Sequence, residues 1–489
     1  MRHSSLLVAT LLVLLPLFVS GQEVTAALTL EDCRISAGRG HPGIKARCGT
    51  LQRPENPADP VSAQLELFVA VVPALSLNPA LDPFVPIAGG PGQASSSFYA
   101  GFAGAFEHIR RDRDIVLLDQ RGTGKSAPMT CDVDEKIIEG EFSREQTIAE
   151  TQKCLASLPH DPRFFTTSVA VADLEALRKA LGYSRFNLYG ISYGSRVAQH
   201  FLRQYPNSTR SVILDGVAPP QLALGPGIAV DAQNSLDAVF DRCSKDEKCQ
   251  QRFPNIRRQL TDLQAHLSAH SVSVSLPNPL TGHIEDINFT AAELAGALRL
   301  LSYHPTSAAK IPLLIAEAAN ENYAPFAAQF MMIAESISEA INIGMHNAVI
   351  CTEDAPHFAA AGISRAMLED TYIGPLQLDA LEAMCSVWPL GVIDADFKAP
   401  VASDIPVLLL SGEIDPVTPA VNGELAAVAL SNARHLVGEH QGHGQAPRGC
   451  MPRVIDQFID SARVDALDTQ CLERLHAMPF FLDYSGPPP

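Results

Sequence analysis

The stretch Phe186-Asn187-Leu188-Tyr189-Gly190-Ile191-Ser192-Tyr193-Gly194-Ser195 decides the fold of this chain. Its apolar beginning, Phe186 to Tyr189, predicts a strand, and the residues that follow it, Arg196 to Arg203, predict a helix. Ser192 stands at the turn between them in a Gly-x-Ser-x-Gly pattern. Flanking glycines permit a tight turn that presents a serine hydroxyl to a substrate. Because a serine between two glycines is also common in ordinary turns, the rest of the chain must supply its chemical partners.

The composition indicates a large globular protein. The chain has 489 residues, of which 46% are apolar and 18% charged. This length suits one large domain with an insertion. The net charge of −18 argues against a nucleic-acid partner, because phosphate binding requires clustered lysines and arginines. We expect no cofactor.

The N-terminus has the pattern of an export signal. Arg2 and His3 precede an apolar run from Leu6 to Val19, and Val19-Ser20-Gly21 supplies small residues for cleavage. We therefore predict a signal peptide over residues 1–21 and an exported protein, periplasmic or extracellular. After cleavage we expect no stable association with a membrane. An uncleaved anchor is the alternative.

The cysteines fit an oxidising compartment. There are ten of them, and they fall in couples that are close in sequence. No Cys-x-x-Cys and no Cys/His cluster has the spacing of metal ligands, so we expect no metal site. The proposed disulfides join sequential cysteines: 33–48, 131–154, 243–249, 351–385 and 450–471.

Short apolar strands alternate with helices in the first half of the chain, after a loop-rich segment over about 22–60. This alternation predicts an α/β fold with a mostly parallel sheet covered on both faces. A helix over Asp173 to Leu181 is closed by Gly182. The predicted strands, besides the one before Ser192, are Leu65 to Val72, Val85 to Ala88, Ile115 to Leu118 and Val212 to Asp215.

One glycine-rich turn resembles a nucleotide-binding loop. Gly124-Lys125-Ser126 matches the end of that motif, but the glycine required five positions earlier is replaced by Asp119. We reject nucleotide binding and expect a turn after a strand.

The middle of the chain changes character. From about 221 to 400 it is dominated by Ala- and Leu-rich helical patterns, with space for one small hairpin over 271–289. We predict a helical cap over 221–400, inserted between two parts of the core, 22–220 and 401–489. The predicted helices are 231–242, 255–270, 290–302, 308–320 and 324–343.

Two later loops supply partners for Ser192. Asp415 follows a predicted strand from Pro406 to Leu410, and His443 follows another from Ala433 to Val437. The order Ser, Asp, His is that of the α/β-hydrolase fold, in which these loops meet at the carboxyl edge of the sheet. Ser192 is the predicted nucleophile, His443 the base and Asp415 the residue that orients it. Glu413 competes with Asp415, and His440 and His435 compete with His443.

Acyl transfer also requires donors for an oxyanion. One is expected to be the backbone N–H of Tyr193, directly after the nucleophile. The other is expected from Gly90 in Gly89-Gly90-Pro91-Gly92, which follows an early strand. Gly89 is the alternative.

With these residues the chain resembles the secreted proline-iminopeptidase-like α/β-hydrolases, the tripeptidyl aminopeptidase family. One departure is Ala88, since the proline iminopeptidases usually have His before Gly-Gly-Pro-Gly. The motifs that carry the resemblance are Gly89-Gly90-Pro91-Gly92, Asp119-Gln120-Arg121-Gly122-Thr123-Gly124-Lys125-Ser126, Gly190-Ile191-Ser192-Tyr193-Gly194, Cys385-Ser386-Val387-Trp388-Pro389, Gly412-Glu413-Ile414-Asp415-Pro416-Val417-Thr418-Pro419 and Gly442-His443-Gly444.

The resemblance implies serine exopeptidase chemistry at free N-termini of peptides, beneath a helical cap. A positively charged amine calls for carboxylates, and Glu353 and Asp354 are the expected amine-binding pair. An esterase or lactonase acting on another acyl substrate is the alternative on the same triad. A non-catalytic binding protein on this fold is a third possibility.

Overall fold

The computed structural model describes residues 28–38, 40–131, 143–278 and 281–487. The predicted signal peptide, residues 1–21, lies outside these ranges. Within them, no helix combines the length and apolar character needed to cross a membrane.

A nine-stranded sheet forms the centre of the molecule, in the order β1-β2-β3-β5-β4-β6-β7-β10-β11. Strands β4, β5, β6, β7, β10 and β11 run parallel, and β1, β2 and β3 extend the sheet antiparallel. This confirms the predicted mostly parallel sheet. The strands are β1 Glu31–Ile35, β2 Ile44–Pro54, β3 Gln64–Val72, β4 Phe84–Ile87, β5 Ile115–Leu118, β6 Phe186–Ile191, β7 Thr209–Asp215, β8 Val272–Pro277, β9 Ile284–Phe289, β10 Val407–Gly412 and β11 Ala433–Gly438.

Helices cover both faces of the sheet and build the cap between β7 and β10. They are α1 Ser95–Phe102, α2 Glu107–Arg110, α3 Arg144–Ser157, α4 Thr167–Leu181, α5 Tyr193–Gln204, α6 Ile228–Lys245, α7 Glu247–Arg252, α8 Ile256–Ala269, α9 Ala291–Leu301, α10 Pro305–Ala308, α11 Ile311–Ala318, α12 Ala324–Ala340, α13 Ile343–Val349, α14 Arg365–Glu369, α15 Leu376–Cys385, α16 Ala420–Ala427 and α17 Met451–Ser461.

The central strands are apolar throughout because both of their faces are buried. Successive residues of a strand point to opposite faces. Leu188 and Leu214 accordingly pack into the core on one face of the sheet, and Tyr189 and Ile213 pack into the core on the other. This two-sided burial explains why β6, β7 and β10 could be recognised as short apolar runs.

The N-terminal segment differs from the expectation of loops over 22–60. It forms β1 and β2, and β2 pairs with β3 from Arg47 opposite Val71 to Pro54 opposite Gln64. Its apolar residues are sparse because most of β2 is partly or fully exposed. Backbone hydrogen bonds and the Cys33–Cys48 disulfide therefore hold β1 and β2 in place, although their side chains show little of the apolar and polar alternation typical of strands.

All five predicted disulfides are present. Besides Cys33–Cys48 they are Cys131–Cys154, Cys243–Cys249, Cys351–Cys385 and Cys450–Cys471. Every cysteine of the chain is therefore paired.

The cap has a hydrophobic core of its own, which includes Leu236, Phe240, Leu298 and Phe326. The five predicted helices correspond to α6, α8, α9, α11 and α12 within a few residues, and the hairpin is β8–β9. The proposed boundaries at 221 and 400 fall in the loops between β7 and α6 and between α15 and β10.

The turn that resembled a nucleotide loop is occupied by internal contacts. The Asp119 carboxylate accepts hydrogen bonds from the backbone N–H groups of Ser96 and Lys125. The hydroxyl of Ser126 accepts one from the Phe68 N–H at 2.7 Å. Arg121 is fully buried and forms an ion pair with Asp173, Nε to Oδ2 2.6 Å. The motif thus connects β5 to its neighbours, in keeping with a turn.

We predict that Asp173→Ala lowers the free energy of unfolding by about 3–5 kcal/mol, because it leaves the buried Arg121 guanidinium without a countercharge. Arg53 also loses its 2.9 Å contact with Asp173. Urea unfolding would measure the change. The matched control is Glu150→Gln, which removes a contact with the exposed Lys153 and should change stability by less than about 0.5 kcal/mol. Equal effects of the two substitutions would contradict the prediction.

Candidate active site

Ser192 occupies a strained turn between β6 and α5. Its backbone has φ 56° and ψ −126°, a conformation that costs a non-glycine residue on the order of 1–3 kcal/mol. The flanking glycines are required by close packing. A Cβ at Gly190 would collide with the carbonyl of Gly194, and a Cβ at Gly194 would collide with the carbonyl of Ile87. The tight turn that presents the serine is possible because Gly190 and Gly194, two positions away on either side, carry no side chains.

Asp415 and His443 meet in the two loops after β10 and β11. Nδ1 of His443 lies 2.8 Å from Oδ2 of Asp415. The Asp415 carboxylate also accepts hydrogen bonds from the N–H groups of Val417 and Thr418, each 2.9 Å, and from the Thr418 hydroxyl at 2.8 Å. With its position fixed, this carboxylate orients the imidazole.

A residue that the sequence analysis did not single out as functional, Asp215, joins the serine turn to the histidine loop. Its backbone carbonyl accepts the Ser192 N–H at 2.8 Å. Its buried carboxylate accepts the N–H groups of Gln445 and Ala446. The next residue, Gly216, packs directly against the His443 ring. An aspartate that ends an apolar strand, as this one ends β7, is the sequence signal that could have indicated it.

The competing candidates lie elsewhere. His440 and Glu413 form an exposed pair, Nδ1 to Oε2 3.2 Å. His435 lies on β11, and its Nε2 is 2.9 Å from the Ser411 hydroxyl. Neither arrangement connects to Ser192, so the geometry favours Asp415 and His443 over these alternatives.

Charge and burial act in opposite directions on the pair. Burial alone would lower the pKa of His443, but the Asp415 carboxylate outweighs it and the pKa is raised. Burial would raise the pKa of Asp415, and His443 together with the hydrogen bonds from the loop lowers it. The aspartate is therefore held ionised beside an imidazole of increased basicity.

The glycine-rich loop after β4 lies against the serine. A Cβ at Gly89 would come within 3.1 Å of the Ser192 Cβ, and Gly90 has φ 106°, which favours glycine. Tyr193 is the first residue of α5, and its hydroxyl is fixed by Thr167 at 2.7 Å and Gln120 at 3.0 Å. Gly90 and Tyr193 remain the predicted oxyanion donors.

The residues of the expected amine site lie inside the protein. Glu353 and Asp354 are both fully buried. Asp354 pairs with Arg196 of α5 and with Lys398, each at 2.9 Å. Glu353 accepts the Thr167 N–H at 2.7 Å, and burial raises its pKa to about 7 against the opposing charge of Arg196. Internal partners occupy both carboxylates, so they hold the cap base on the core and offer no open face to a substrate.

A different carboxylate, Asp231 on α6, is partly exposed near the active site. It lies one helical turn before Ser235, whose hydroxyl donates to the Ile414 carbonyl at 2.7 Å. Burial and, to a smaller extent, the charge of Asp415 together raise the pKa of Asp231 to about 7. Among the described residues its carboxylate has no hydrogen-bond or ion-pair partner. The sequence signal was an aspartate on a helix turn of otherwise small and apolar residues.

The cap holds the other loops as well. The Tyr303 carbonyl, directly after α9, accepts the His443 N–H at 2.8 Å. The N–H of Asn342, before α13, donates to the Gly92 carbonyl at 3.0 Å. The cap is therefore in contact with the loops of the histidine, the aspartate and the expected oxyanion donors.

Comparison with known families agrees with this architecture. The family model described as alpha/beta hydrolase fold matches residues 82–268, which contain the serine turn. The model described as TAP-like protein matches residues 370–471, which contain Asp415 and His443. This chain has the α/β-hydrolase fold. The fold expected from the order of Ser192, Asp415 and His443 is thus confirmed.

Curated relatives of this α/β-hydrolase match over limited segments. YuaR, a putative hydrolase of Escherichia coli K12, is 31% identical over 134 residues, 27% of each chain. The tripeptidyl aminopeptidase of Streptomyces lividans is 26% identical over 226 residues, 40% of this chain and 39% of the relative. A proline iminopeptidase of Xylella fastidiosa strain 9a5c is 31% identical over 145 residues, 29% of this chain and 34% of the relative. The chain thus matches well under half the length of these relatives.

The Asp415–His443 pair predicts a pH dependence. The neutral imidazole is the base, so the rate should rise with pH through a His443 pKa above its usual value of about 6.5. Asp415→Asn should move this acid limb to lower pH and reduce kcat on the order of 10³- to 10⁴-fold. The pH profile of p-nitrophenyl acetate hydrolysis would measure both effects.

Glu413→Gln is the control, since Glu413 lies on the same loop but pairs with His440. It should leave the acid limb in place. If the acid limb of the pH–rate profile shifts in Glu413→Gln and does not shift in Asp415→Asn, the assignment of Asp415 as the partner of His443 is wrong.

Proposed function

We propose that this chain is an exported serine hydrolase, an aminopeptidase that releases short N-terminal pieces of peptides through an acyl-enzyme. The observation that carries the proposal is the 2.8 Å contact between Nδ1 of His443 and the buried carboxylate of Asp415. Asp215 holds the loop of His443 next to the Ser192 turn. The five disulfides support export to an oxidising compartment.

In the proposed mechanism the Ser192 hydroxyl attacks the scissile carbonyl carbon while His443 takes its proton. Asp415 stabilises the resulting imidazolium. The N–H groups of Tyr193 and Gly90 bind the oxyanion of the tetrahedral intermediate. Collapse breaks the C–N bond, and His443 returns the proton to the departing amine. Water then attacks the acyl-enzyme by the same steps, which releases the acid and restores the serine.

The peptidase part of the proposal draws on two observations. The relatives include proteins named tripeptidyl aminopeptidase and proline iminopeptidase. In addition, the partly exposed, unpaired carboxylate of Asp231 lies one helical turn before Ser235, whose hydroxyl bonds to the Ile414 carbonyl next to Asp415. We propose that Asp231 binds the substrate's ammonium group, the role first assigned to Glu353 and Asp354.

A substrate panel separates the aminopeptidase from an esterase. Aminoacyl, dipeptidyl and tripeptidyl p-nitroanilides, each with a free and an acetylated amine, would be compared with simple p-nitrophenyl esters. We expect hydrolysis of free-amine anilides, a marked loss on acetylation, and no turnover by Ser192→Ala. Hydrolysis of esters alone would indicate an esterase, and activity retained by Ser192→Ala would exclude the proposed nucleophile.

Replacing Asp231 tests the amine site. Asp231→Asn should raise KM for free-amine anilides at least about tenfold, because it removes a carboxylate partner of an ammonium, and should leave acetylated esters unchanged. In wild type, KM for these anilides should fall as pH rises through about 7, the pKa at which Asp231 becomes charged. Initial rates between pH 5.5 and 7.5 would measure this trend.

Stability provides a second readout for Asp231. In the folded state Asp231 keeps its proton up to a pH of about 7, whereas in the unfolded state it loses that proton near pH 3.9. Its ionisation therefore lowers the free energy of unfolding progressively from pH 4 to 7. Asp231→Asn should therefore have a higher Tm than wild type at pH 7.5 and a similar Tm at pH 4.

Asp237→Asn, which removes a surface ion pair with Arg257, is the control for the KM measurement and should leave KM unchanged. A destabilised Asp231→Asn with unchanged KM would contradict the assignment.

A further inference from the structure

The cap contains an arginine without a countercharge. Arg299 lies near the end of α9, and among the described residues no carboxylate is within ion-pair distance of its guanidinium. Its one hydrogen bond runs from Nη2 to the Tyr303 hydroxyl at 3.3 Å, and its Nε is buried without a partner. Arg299 is partly buried, and a guanidinium withdrawn from water in this way normally has an anionic partner, because removing an unpaired charge from water is costly.

The guanidinium lies beside the active site. It stands over the Tyr303 ring, 6.0 Å from the ring centroid, and that ring meets the His443 ring edge-on at 5.3 Å. The Tyr303 carbonyl also holds the His443 N–H. One aromatic ring therefore separates the unpaired cation from the imidazole.

A second unsatisfied group lies within reach of the same charge. Tyr372 is 8% exposed, and its hydroxyl has no hydrogen-bond partner. Burial raises the pKa of Tyr372, and the positive charge of Arg299 opposes that rise. Two buried donor atoms in the cap, Nε of Arg299 and the hydroxyl of Tyr372, thus lack an acceptor among the described residues.

Three acidic residues of the cap are engaged by groups other than Arg299. Glu293, on α9 itself, accepts the N–H of Thr290 at 2.6 Å through Oε2 and caps the helix, and its Oε1 is buried without a hydrogen-bond partner. Glu353 and Asp354 are engaged by Thr167, Arg196 and Lys398. No described carboxylate lies within ion-pair distance of Arg299, so its guanidinium is open to a carboxylate from outside the chain.

We propose that Arg299, assisted by the Tyr372 hydroxyl, binds a carboxylate of the substrate beside His443 and so selects substrates with a negative charge near the scissile bond. The planar donor edge of a guanidinium matches the two oxygens of a carboxylate, and a phenol adds a third donor. This inference rests on the acyl-hydrolase activity proposed above.

Two parts of a peptide could supply the carboxylate. One is the free C-terminus of a single leaving residue, and the other is an acidic side chain next to the scissile bond. Because His443 donates its proton to the leaving amine, we expect a carboxylate held beside His443 to belong to the leaving residue.

Matched substrates test the inference. Ala-Ala is compared with Ala-Ala-amide, and Ala-Glu-amide with Ala-Gln-amide, using wild type and Arg299→Gln. Wild type should prefer at least one carboxylate-bearing member, and Arg299→Gln should lower kcat/KM for that member at least about tenfold while its neutral counterpart changes less than about twofold. The pair that loses its preference identifies the source of the carboxylate. Arg299→Lys, which keeps the charge but not the fork, should retain part of the preference.

Two controls and a second pair of substrates separate an effect on the carboxylate site from an effect on the catalytic residues. Fluorophosphonate labelling of Ser192 in Arg299→Gln reports an intact triad, and Arg258→Gln on α8, where the side chain is 84% exposed, should behave as wild type. 4-Acetoxybenzoate and its methyl ester test the same preference with esters, because the carboxylate of the first stands on the leaving group. If peptides resist cleavage while the preference for 4-acetoxybenzoate is present and depends on Arg299, the peptidase proposal fails and the carboxylate site stands. Equal rates on charged and neutral members in wild type, or a preference unchanged in Arg299→Gln, would overturn the inference.

Discussion

The hydrogen bonds of Asp215 are the constraint on which the proposed chemistry depends. Its backbone carbonyl holds the Ser192 N–H, and its carboxylate holds the loop after His443 through Gln445 and Ala446. The Tyr189 hydroxyl, from β6, donates to the same carboxylate at 2.8 Å. One fully buried residue therefore fixes the strand before the serine, the serine turn and the histidine loop relative to each other. Burial of this kind is favourable only because every oxygen has a donor.

The cap is joined to the core at the places where chemistry is expected. Tyr303 supports the histidine loop, Ser235 the aspartate loop and Asn342 the glycine-rich loop. Displacement of the cap would disturb each of these loops, so substrate selection and loop geometry are coupled. Asp231 and Arg299, two ionisable groups of the cap that have no ion-pair partner among the described residues, carry opposite charges when both are ionised. A short zwitterionic peptide offers the complement of both.

The sequence predicted what depends on local pattern. The apolar strands, the turn at Ser192 and the order of Ser192, Asp415 and His443 are readable because strand burial and tight turns restrict the residues that fit. The sequence did not reveal roles that depend on distant partners. The sequence predicts amine binding for Asp354 and gives no sign of its ion pair with Arg196, because Arg196 lies 158 residues away. Asp215 and Asp231 were missed as functional residues for the same reason, and β1 and β2 because their side chains are mostly exposed.

The central claim is that Ser192 is a nucleophile activated by His443. The most direct test is the mass of the intact protein after incubation with a fluorophosphonate, followed by mapping of the modified peptide. We predict one adduct in wild type, located on Ser192, with loss of hydrolysis in proportion to labelling, no adduct in Ser192→Ala and strongly slowed labelling in His443→Ala. An unlabelled wild type, or equal labelling of Ser192→Ala, would contradict the account.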